Sequence, residues 1–308
     1  MEIVVDMQDL CGESPVWDEA TQTLYWTDNA GRLFHAFSYK SGQHRLLKSG
    51  FQINGFRLNK PGGFLVANDA GACIWSTNGH FKLPIAGPEG MHRLNDCVAD
   101  VCGRVLSGSV HYTPGGQYQL GALFRIDTDG RAVQIDEGFH LANGLAFSPD
   151  GATLYFADTV ARRIYAYDYD VNSGNVKRRR VLIQVPTSEG LPDGLVVDAE
   201  GFLWSAQWFG SQIVRYDPDG FVERRVSVPA KQVTCIAFGG PDLDQLYITT
   251  ASQFEEMPEL PVRREPNEGV YGGPVYRMRP GVQGRTTQQA NIALPSMSLP
   301  LVGREGFE

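Results

Sequence analysis

The sequence repeats one short pattern six times, and this repeat limits the folds open to the chain. Each copy has a polar residue, an apolar run, a tight turn and a second apolar run. The copies begin near residues 13, 54, 95, 143, 193 and 234, so their starts lie 41 to 50 residues apart. A unit of this length cannot bury its apolar face alone and must stack against its neighbours. We therefore expect an array of similar units rather than unrelated domains.

The composition of each unit favours β-strands over helices. The apolar runs are rich in Val, Ile, Leu, Tyr, Phe and Trp, and Asp-Gly, Pro-Asp-Gly and Gly-Gly turns separate them. No apolar period of 3.6 residues is sustained, and a third apolar segment follows in every unit. The pattern predicts an all-β fold, a six-bladed β-propeller forming a single domain over residues 1–308. The opening segment "MEIVVDM" is expected to pair with the last unit and close the ring.

The charge and the cysteine content limit the binding partners and the cellular compartment that we expect for this protein. The net charge of −8 argues against nucleic acid as a partner, because phosphates reward basic surfaces. No segment approaches the ~20 apolar residues of a transmembrane helix, and the N-terminus lacks the basic region of a signal peptide, so no membrane partner is expected. Five cysteines, an odd number in a long chain, do not suggest a disulfide framework. These features predict a cytoplasmic protein.

The repeat places one polar residue at the start of each innermost strand. In a propeller these strands line the central channel, so the equivalent residues should form a ring. The ring comprises Glu13, Asn54, Asn95, Asn143, Asp193 and Thr234. Each of these side chains taken alone has an ordinary alternative role, the capping of a strand.

The combination of Glu13, Asn143 and Asp193 points to a metal. Two carboxylates converging in a buried channel would repel each other unless a cation compensates them. Carboxylate and amide oxygens are hard ligands that suit Ca²⁺, Mg²⁺ or Mn²⁺, and Zn²⁺ also accepts carboxylates. We therefore expect one divalent metal ion, Ca²⁺, Zn²⁺, Mn²⁺ or Mg²⁺, as cofactor.

Four motifs then carry a resemblance to a known family. They are "GESPVW" at 12–17, "RLND" at 93–96, "NGLAFSPDG" at 143–151 and "PDGL" at 192–195. In combination they resemble the SMP-30/gluconolactonase/LRE family, and the resemblance extends over all six repeats. It implies a six-bladed propeller that hydrolyses sugar lactones with one divalent metal in its channel.

The resemblance also implies roles for individual residues. The family's metal ligands fall on Glu13, Asn143 and Asp193, and its catalytic base falls on Asp193. Asn95 would face the substrate and the reacting water, and Arg93 would bind substrate oxygens.

Two insertions interrupt the repeat, and at the first of them the resemblance to the family weakens. The first is "HYTPGGQYQLG" at 111–121, where His111, Gln117 and Tyr118 are candidate substrate contacts. The second spans residues 251–273. Long loops on a rigid scaffold often carry specificity, although a variable surface loop is the ordinary alternative.

The expected function is hydrolysis of a sugar-acid lactone, an aldonolactone, to the open-chain sugar acid, with Asp193 as general base. Lactones derived from aldaric or uronic acids are the alternative substrates. Rival functions are a non-catalytic calcium-binding regulatory propeller, a related hydrolase of phosphotriesters or homoserine lactones, and a binding propeller of the YWTD kind, whose motif occurs once, at 24–28. The partner is then a small-molecule sugar lactone, and the protein is expected to be a monomer or a small homo-oligomer.

Overall fold

The computed structural model describes residues 1–77, 82–110, 119–253 and 270–293. Within these residues the chain forms twenty-four strands and no helix. The first half contains β1 (Glu2–Val5), β2 (Gly12–Asp18), β3 (Thr23–Asp28), β4 (Leu33–Ser38), β5 (His44–Ser49), β6 (Gly55–Leu58), β7 (Phe64–Asn68), β8 (Gly71–Trp75), β9 (Lys82–Ile85), β10 (Leu94–Ala99), β11 (Val105–Ser109) and β12 (Gly121–Ile126). The second half contains β13 (Ala132–Phe139), β14 (Ala142–Phe147), β15 (Thr153–Asp158), β16 (Arg163–Asp170), β17 (Asn175–Gln184), β18 (Leu191–Val197), β19 (Leu203–Trp208), β20 (Gln212–Tyr216), β21 (Val222–Ser227), β22 (Val233–Gly239), β23 (Gln245–Thr250) and β24 (Val275–Met278).

The described strands form six four-stranded antiparallel sheets arranged in a ring. In five sheets four consecutive strands follow one another from the inside outward, for example β2-β3-β4-β5 and β14-β15-β16-β17. The innermost strands are β2, β6, β10, β14, β18 and β22, and each contacts the next in a closed circle. This arrangement is a six-bladed β-propeller, which confirms the fold predicted from the repeat.

The ring is closed by the N-terminal strand, as expected from the sequence. The sixth sheet has the order β1-β24-β23-β22, so the beginning of the chain supplies the outermost strand of the last blade. β1 runs antiparallel to β24, with Val5 opposite Val275. Backbone hydrogen bonds therefore join the two ends of the propeller without a covalent link.

Aromatic side chains pack neighbouring blades together. Trp17 of the first blade stacks on Tyr247 of the sixth, with ring centroids 5.7 Å apart. Phe34 meets Phe56 of the second blade edge to face at 4.9 Å. Such pairs add about 0.5–1.5 kcal/mol each to the gain from burial. The apolar runs of the repeat thus form the layers between blades, and the channel is left to the polar ring residues.

A segment after the last strand, residues 280–293, crosses the face of the propeller opposite the ring residues. We call it the C-terminal strap. It forms backbone hydrogen bonds with hairpin turns of several blades, including Gly284 with Leu243, Ala290 with Leu58 and Asn291 with Gly103. No helix in the described ranges is long and apolar enough to cross a membrane.

Candidate functional site

Irregular strand pairing turns the ring residues into the channel. Five innermost strands shift register close to their ring position, between Glu13 and Val16, Leu94 and Cys97, Ala142 and Leu145, Pro192 and Leu195, and Val233 and Cys235. A β-bulge places an extra residue in one strand and redirects the neighbouring side chains. The repeated bulge therefore gathers polar side chains at one end of the channel without interrupting the sheets.

Glycines beside the ring residues let the innermost strands approach closely. A Cβ on Gly144 would lie 2.4 Å from the carbonyl oxygen of Asp193, and a Cβ on Gly194 would lie 2.2 Å from the sulfur of Cys235. Contacts this short are not tolerated between non-bonded atoms. The glycine of "NG" and "DG" is therefore required by the narrow channel in addition to its frequent use in turns.

Several ring side chains connect one blade to the next by the same hydrogen bond. Asn54 donates from Nδ2 to the Leu94 carbonyl at 2.9 Å, and Asn95 donates from Nδ2 to the Ala142 carbonyl at 2.9 Å. In both cases the accepting residue directly precedes the ring residue of the following blade. The side chains of these two residues therefore have a structural role in the ring.

Two further ring residues also connect to the carbonyl that precedes the ring residue of the next blade. The Thr234 hydroxyl donates to the carbonyl of Gly12, which precedes Glu13. Asn143 acts through a relay, in which its Nδ2 donates to Thr159 Oγ1 at 3.1 Å and that hydroxyl donates to the Pro192 carbonyl at 2.8 Å. The relay leaves Asn143 Oδ1 facing the channel, 3.3 Å from Asn95 Nδ2.

Among the described residues, neither Glu13 nor Asp193 donates to a carbonyl of the next blade. At the first blade the neighbouring Ser14 takes this place instead of Glu13, with its Oγ 3.1 Å from the Asn54 carbonyl oxygen. Both carboxyl groups are buried, with residue exposures of 8% for Glu13 and 3% for Asp193. The two acids are thus the ring members whose side chains do not donate to the backbone of the next blade, and this points to another role.

The electrostatics of the site are those of three buried acids. Burial raises the pKa of Glu13 well above its usual range, and the charges of Asp193 and Asp96 raise it further. Burial, followed by the charge of Asp96, raises the pKa of Asp193 well above normal. The pKa of Asp96 is also raised by burial, although a hydrogen bond from Ser14 opposes the shift. The charge of Arg57 also opposes the shift at Asp96, but burial outweighs it.

These residues fit a divalent cation. Asp193 Oδ1 is buried and has no hydrogen-bond partner among the described residues, an arrangement that normally costs 1–3 kcal/mol or more. Within the described ranges no three His, Cys, Asp or Glu side chains are grouped closely enough to hold an ion by themselves. A cation here would therefore need the Asn143 carboxamide together with the two carboxylates. Such an oxygen set suits a hard cation, whose charge would offset the repulsion.

A polar cleft opens at the ring residues of the second and third blades. It has a volume of about 270 Å³, and its lining includes Arg93, Asn95, Asn54, Gln52 and Asp69. Gln52 Nε2 donates to Asn54 Oδ1 at 3.2 Å, and Asn54 Nδ2 also approaches Asp69 Oδ1 at 3.1 Å. The cleft wall therefore carries amide, carboxylate and guanidinium groups suited to hydroxyl and carbonyl oxygens.

Two turn aspartates hold the segments that lead into the site. Asp28 accepts backbone hydrogen bonds from Leu10 and Cys11, both at 2.9 Å, just before β2. Asp158 accepts from the backbone of His140 at 3.0 Å and of Leu141 at 3.1 Å, just before β14. The final residues of "LYWTD" and "LYFAD" therefore fix where the strands of Glu13 and Asn143 begin.

The structure brings together five residues predicted from the sequence and does not describe three others. Glu13, Asn95, Asn143 and Asp193 lie around the channel end, and Arg93 lines the adjoining cleft. His111 and Tyr118 lie outside the described residues, as does Gln117.

Sequence reasoning missed Asp96, Gln52 and Asp69. Asp96 had a visible signal, since it follows Asn95 in "RLND". Strict strand alternation would have turned it away from the channel, but the bulge in β10 removes that alternation. Gln52 and Asp69 lie outside the repeated ring position and had no signal of this kind.

The fold and this site define the chain as a six-bladed β-propeller with a cluster of buried acids and amides at one end of its channel. Residues 11–252 match the family model described as the SMP-30/gluconolactonase/LRE-like region. The chain belongs to this family.

Named relatives extend the comparison. The chain is 39% identical to a pentonolactonase, XacC, from Haloferax volcanii over 80% of this chain and 84% of the relative. It is 36% identical to a 6-deoxy-6-sulfogluconolactonase from Pseudomonas putida over 84% of this chain and 90% of the relative. A solved structure of a calcium-binding protein, regucalcin, from Agrobacterium tumefaciens superposes with a TM-score of 0.81. It shares 26% identity and covers 95% of this chain and 97% of its own.

Proposed function

We propose that this propeller is a sugar lactonase that uses a divalent cation to hydrolyse a sugar-acid lactone to the open-chain acid. The observation that carries the proposal is Asp193 Oδ1, a buried oxygen without a hydrogen-bond partner among the described residues, in a cluster of acids and amides. The family match supports lactone hydrolysis as the reaction class, and so do the names of the two relatives, a pentonolactonase and a 6-deoxy-6-sulfogluconolactonase.

In this proposal Glu13, Asn143 and Asp193 hold the cation through side-chain oxygens. When bound, a divalent cation supplies positive charge that stabilises the oxyanion developing on the lactone carbonyl. The calcium-binding description of the regucalcin structure supports Ca²⁺ among the candidate ions, with Mg²⁺, Mn²⁺ and Zn²⁺ as the others.

The protein's own groups perform the remaining steps. Asp193 accepts a proton from the attacking water, whose oxygen then bonds to the carbonyl carbon. The ring oxygen departs as the ester bond breaks, and it takes the proton held by Asp193 to become the hydroxyl of the open-chain acid. Asn95 and Arg93 orient the lactone from the cleft, which lowers the entropic part of the barrier.

The cleft favours a neutral polyhydroxy lactone over one that carries a carboxylate. Among the described residues lining it, Arg93 is the one cation and Asp69 the one acid. Since these formal charges balance, the cleft has no surplus positive charge to attract a second carboxylate. The amide of Gln52 can donate to and accept from sugar hydroxyls. An aldonolactone is therefore the proposed substrate, and lactones of aldaric or uronic acids are the alternative.

The test is proton release from a panel of glucono-, galactono-, xylono-, arabinono- and glucarolactones. Protein stripped with a chelator is assayed alone and after Ca²⁺, Mg²⁺, Mn²⁺ or Zn²⁺ is restored. We expect cation-dependent turnover of one or two neutral lactones. Asp193→Ala should lower kcat/KM by about 10³-fold or more, because it removes both the base and a cation ligand. Asp219→Asn, which changes an exposed turn, serves as the control and should retain activity.

Normal turnover by Asp193→Ala would refute the assignment of the base. Cation binding without hydrolysis of any lactone would instead favour the regulatory calcium-binding propeller. A cytoplasmic location is proposed from the five cysteines, which are all free thiols in the described structure.

A further inference from the structure

Asp96 is a third buried acid that the proposed mechanism does not use. It follows Asn95 in β10, is 6% exposed, and does not line the cleft that Asn95 lines. Its Oδ1 accepts a hydrogen bond of 2.8 Å from the hydroxyl of Ser14. Ser14 belongs to the first blade and Asp96 to the third. The bond therefore joins two blades that are not neighbours in the ring.

The contact depends on a missing side chain in the second blade. Gly55 begins β6, between the strands of Ser14 and Asp96. A Cβ on Gly55 would lie 2.5 Å from the Asn95 carbonyl oxygen and 3.1 Å from the Asp96 Cα. The glycine leaves the space through which the first and third blades meet.

Ser14 links Asp96 directly to Glu13. The Ser14 backbone N–H donates to Glu13 Oε2 at 3.1 Å, while its hydroxyl donates to Asp96. Ser14 has φ of +48°, in the left-handed region that costs a non-glycine residue about 1–2 kcal/mol. Such a conformation persists only where surrounding contacts maintain it. Asp96 supplies one of these contacts and so helps to set the orientation of the Glu13 carboxylate.

Asp96 also contributes negative charge to the site. Its carboxyl group acts electrostatically on both Glu13 and Asp193. The guanidinium of Arg57, farther along the channel, is a cation that acts on Asp96. An acid that contacts the ligand residues, and not the ion itself, can increase the affinity for the cation. Removal of such a residue typically weakens metal binding 10- to 100-fold.

We propose that Asp96 is a positioning residue for the cation site, where it fixes Glu13 through Ser14 and adds a negative charge behind the ligands. This inference rests on the proposed function, because it takes Glu13 as a cation ligand. It predicts opposite effects of one substitution on the stripped protein and on cation binding. Asp96→Asn keeps an oxygen for Ser14 but removes the charge, so repulsion among the acids should fall.

The experiment measures calorimetric cation binding and thermal unfolding of stripped protein, with Ca²⁺, Mg²⁺ and Mn²⁺ as probes and no lactone. Asp96→Asn should weaken the tightest-bound cation about 10-fold or more and raise the melting temperature of the stripped protein. Ser14→Ala should weaken the same cation but lower that melting temperature, because it removes contacts without relieving charge. Asp219→Asn changes the net charge equally at an exposed turn and should match wild type.

The outcomes separate this inference from the proposed function. If Asp193→Asn abolishes cation binding while Asp96→Asn and Ser14→Ala bind like wild type, the positioning role is wrong and the cation site stands. If the wild-type protein binds none of the cations, both proposals are wrong. If Asp96→Asn lowers both the cation affinity and the melting temperature of the stripped protein, Asp96 has a structural role and not a positioning role. If Asp96→Asn does not fold, a wild-type cation affinity in Ser14→Ala would still reject the positioning role of Asp96.

Discussion

At the scale of single residues, the site is defined by which polar side chains connect the blades. Asn54, Asn95 and Thr234 each donate to a backbone carbonyl of the next blade. Among the described residues Glu13 and Asp193 do not. The ring position is thus structural where the side chain donates to the next blade, and in the proposed function the two acids hold the cation together with Asn143 Oδ1, the atom that does not donate.

Gly144 tests how far the site depends on close strand packing. In Gly144→Ala the new Cβ would meet the backbone of Asp193 and Leu195 at 2.4 and 2.5 Å, and backbone atoms cannot rotate away. We expect a loss of about 1–3 kcal/mol in the free energy of unfolding, together with weaker cation binding because the Asp193 backbone must move.

Urea denaturation and calorimetric titration measure the two effects. Gly130→Ala is the matched control, since Gly130 has φ of +84° but open space around its Cβ direction. It should cost about 1 kcal/mol through backbone strain and leave cation affinity unchanged. Unaltered affinity in Gly144→Ala would show that the ring tolerates expansion.

At the scale of elements, the first blade contains a second buried polar cluster away from the ring. Asp9 Oδ2 accepts from Trp26 Nε1 at 2.8 Å, and Asp9 Oδ1 lies 3.6 Å from His35 Nε2. His35 Nδ1 is in turn 3.0 Å from His44 Nε2. The rings of Trp26 and His35 stack at 4.9 Å. Asp9, which precedes β2, and the histidines of β4 and β5 thus form a chain of titratable groups.

Burial shifts the pKa values of Asp9 and His35 in opposite directions. It raises the pKa of Asp9 to about 7, with the charge of Asp28 adding to the rise and the Trp26 hydrogen bond opposing it. It lowers the pKa of His35 to about 4, and the neighbouring His44 lowers it further. Between these values both groups are neutral in the folded state.

The free energy of unfolding therefore depends on pH in opposite directions through Asp9 and through His35. The folded pKa of Asp9 is raised, so its contribution is fully present below its unfolded pKa near 4 and is lost as pH rises to 7, by about 4 kcal/mol. The folded pKa of His35 is lowered, so its contribution is present above about 6.5 and is lost as pH falls to 4.

Single variants separate the two contributions. Relative to wild type, Asp9→Asn should gain stability as pH rises from 4.5 to 7.5, and His35→Gln should gain stability as pH falls across the same range. Urea unfolding at four pH values measures both slopes. If the slopes were reversed, Asp9 and His35 would form an ion pair in the folded state rather than a neutral pair.

At the scale of the whole molecule, two terminal segments hold the ring together. β1 completes the sixth blade, and the C-terminal strap crosses the opposite face. Asn59 anchors the strap at a fully buried position. Its Oδ1 accepts from the Ile292 backbone N–H at 2.9 Å, and its Nδ2 donates to the Ile292 carbonyl at 3.1 Å.

Removal of this anchor should destabilise the fold and spare the site. Asn59→Ala leaves buried backbone groups of Ile292 without partners, so we expect a loss of about 2–4 kcal/mol. Amide hydrogen exchange should accelerate at residues 290–292, while cation affinity should stay unchanged because the strap lies at the other mouth. Thr286→Ala, an exposed strap position, should change stability by less than about 0.5 kcal/mol. Unchanged exchange at 290–292 in Asn59→Ala would mean that the backbone bonds alone hold the strap.

The sequence by itself determined the architecture and the members of the polar ring. Six copies of an alternating apolar pattern with turn residues have few stable arrangements, because each unit must cover its neighbour's apolar face. Equivalent positions in a closed ring of blades share one place along its axis, so the phase of the repeat was enough to group Glu13, Asn143 and Asp193. The pairing of the N-terminal strand with the last blade was also predictable from its apolar character.

Only the tertiary structure decided how each ring residue is used. The bulges that redirect these side chains leave no pattern in the sequence, and the contact of Asp96 with Ser14 joins residues 82 positions apart. Gln52 and Asp69 line the cleft from loops outside the repeated position. Local sequence sets which face of a strand is apolar, whereas the environment of a polar group depends on which other blades reach it. That arrangement exists only once the ring has closed.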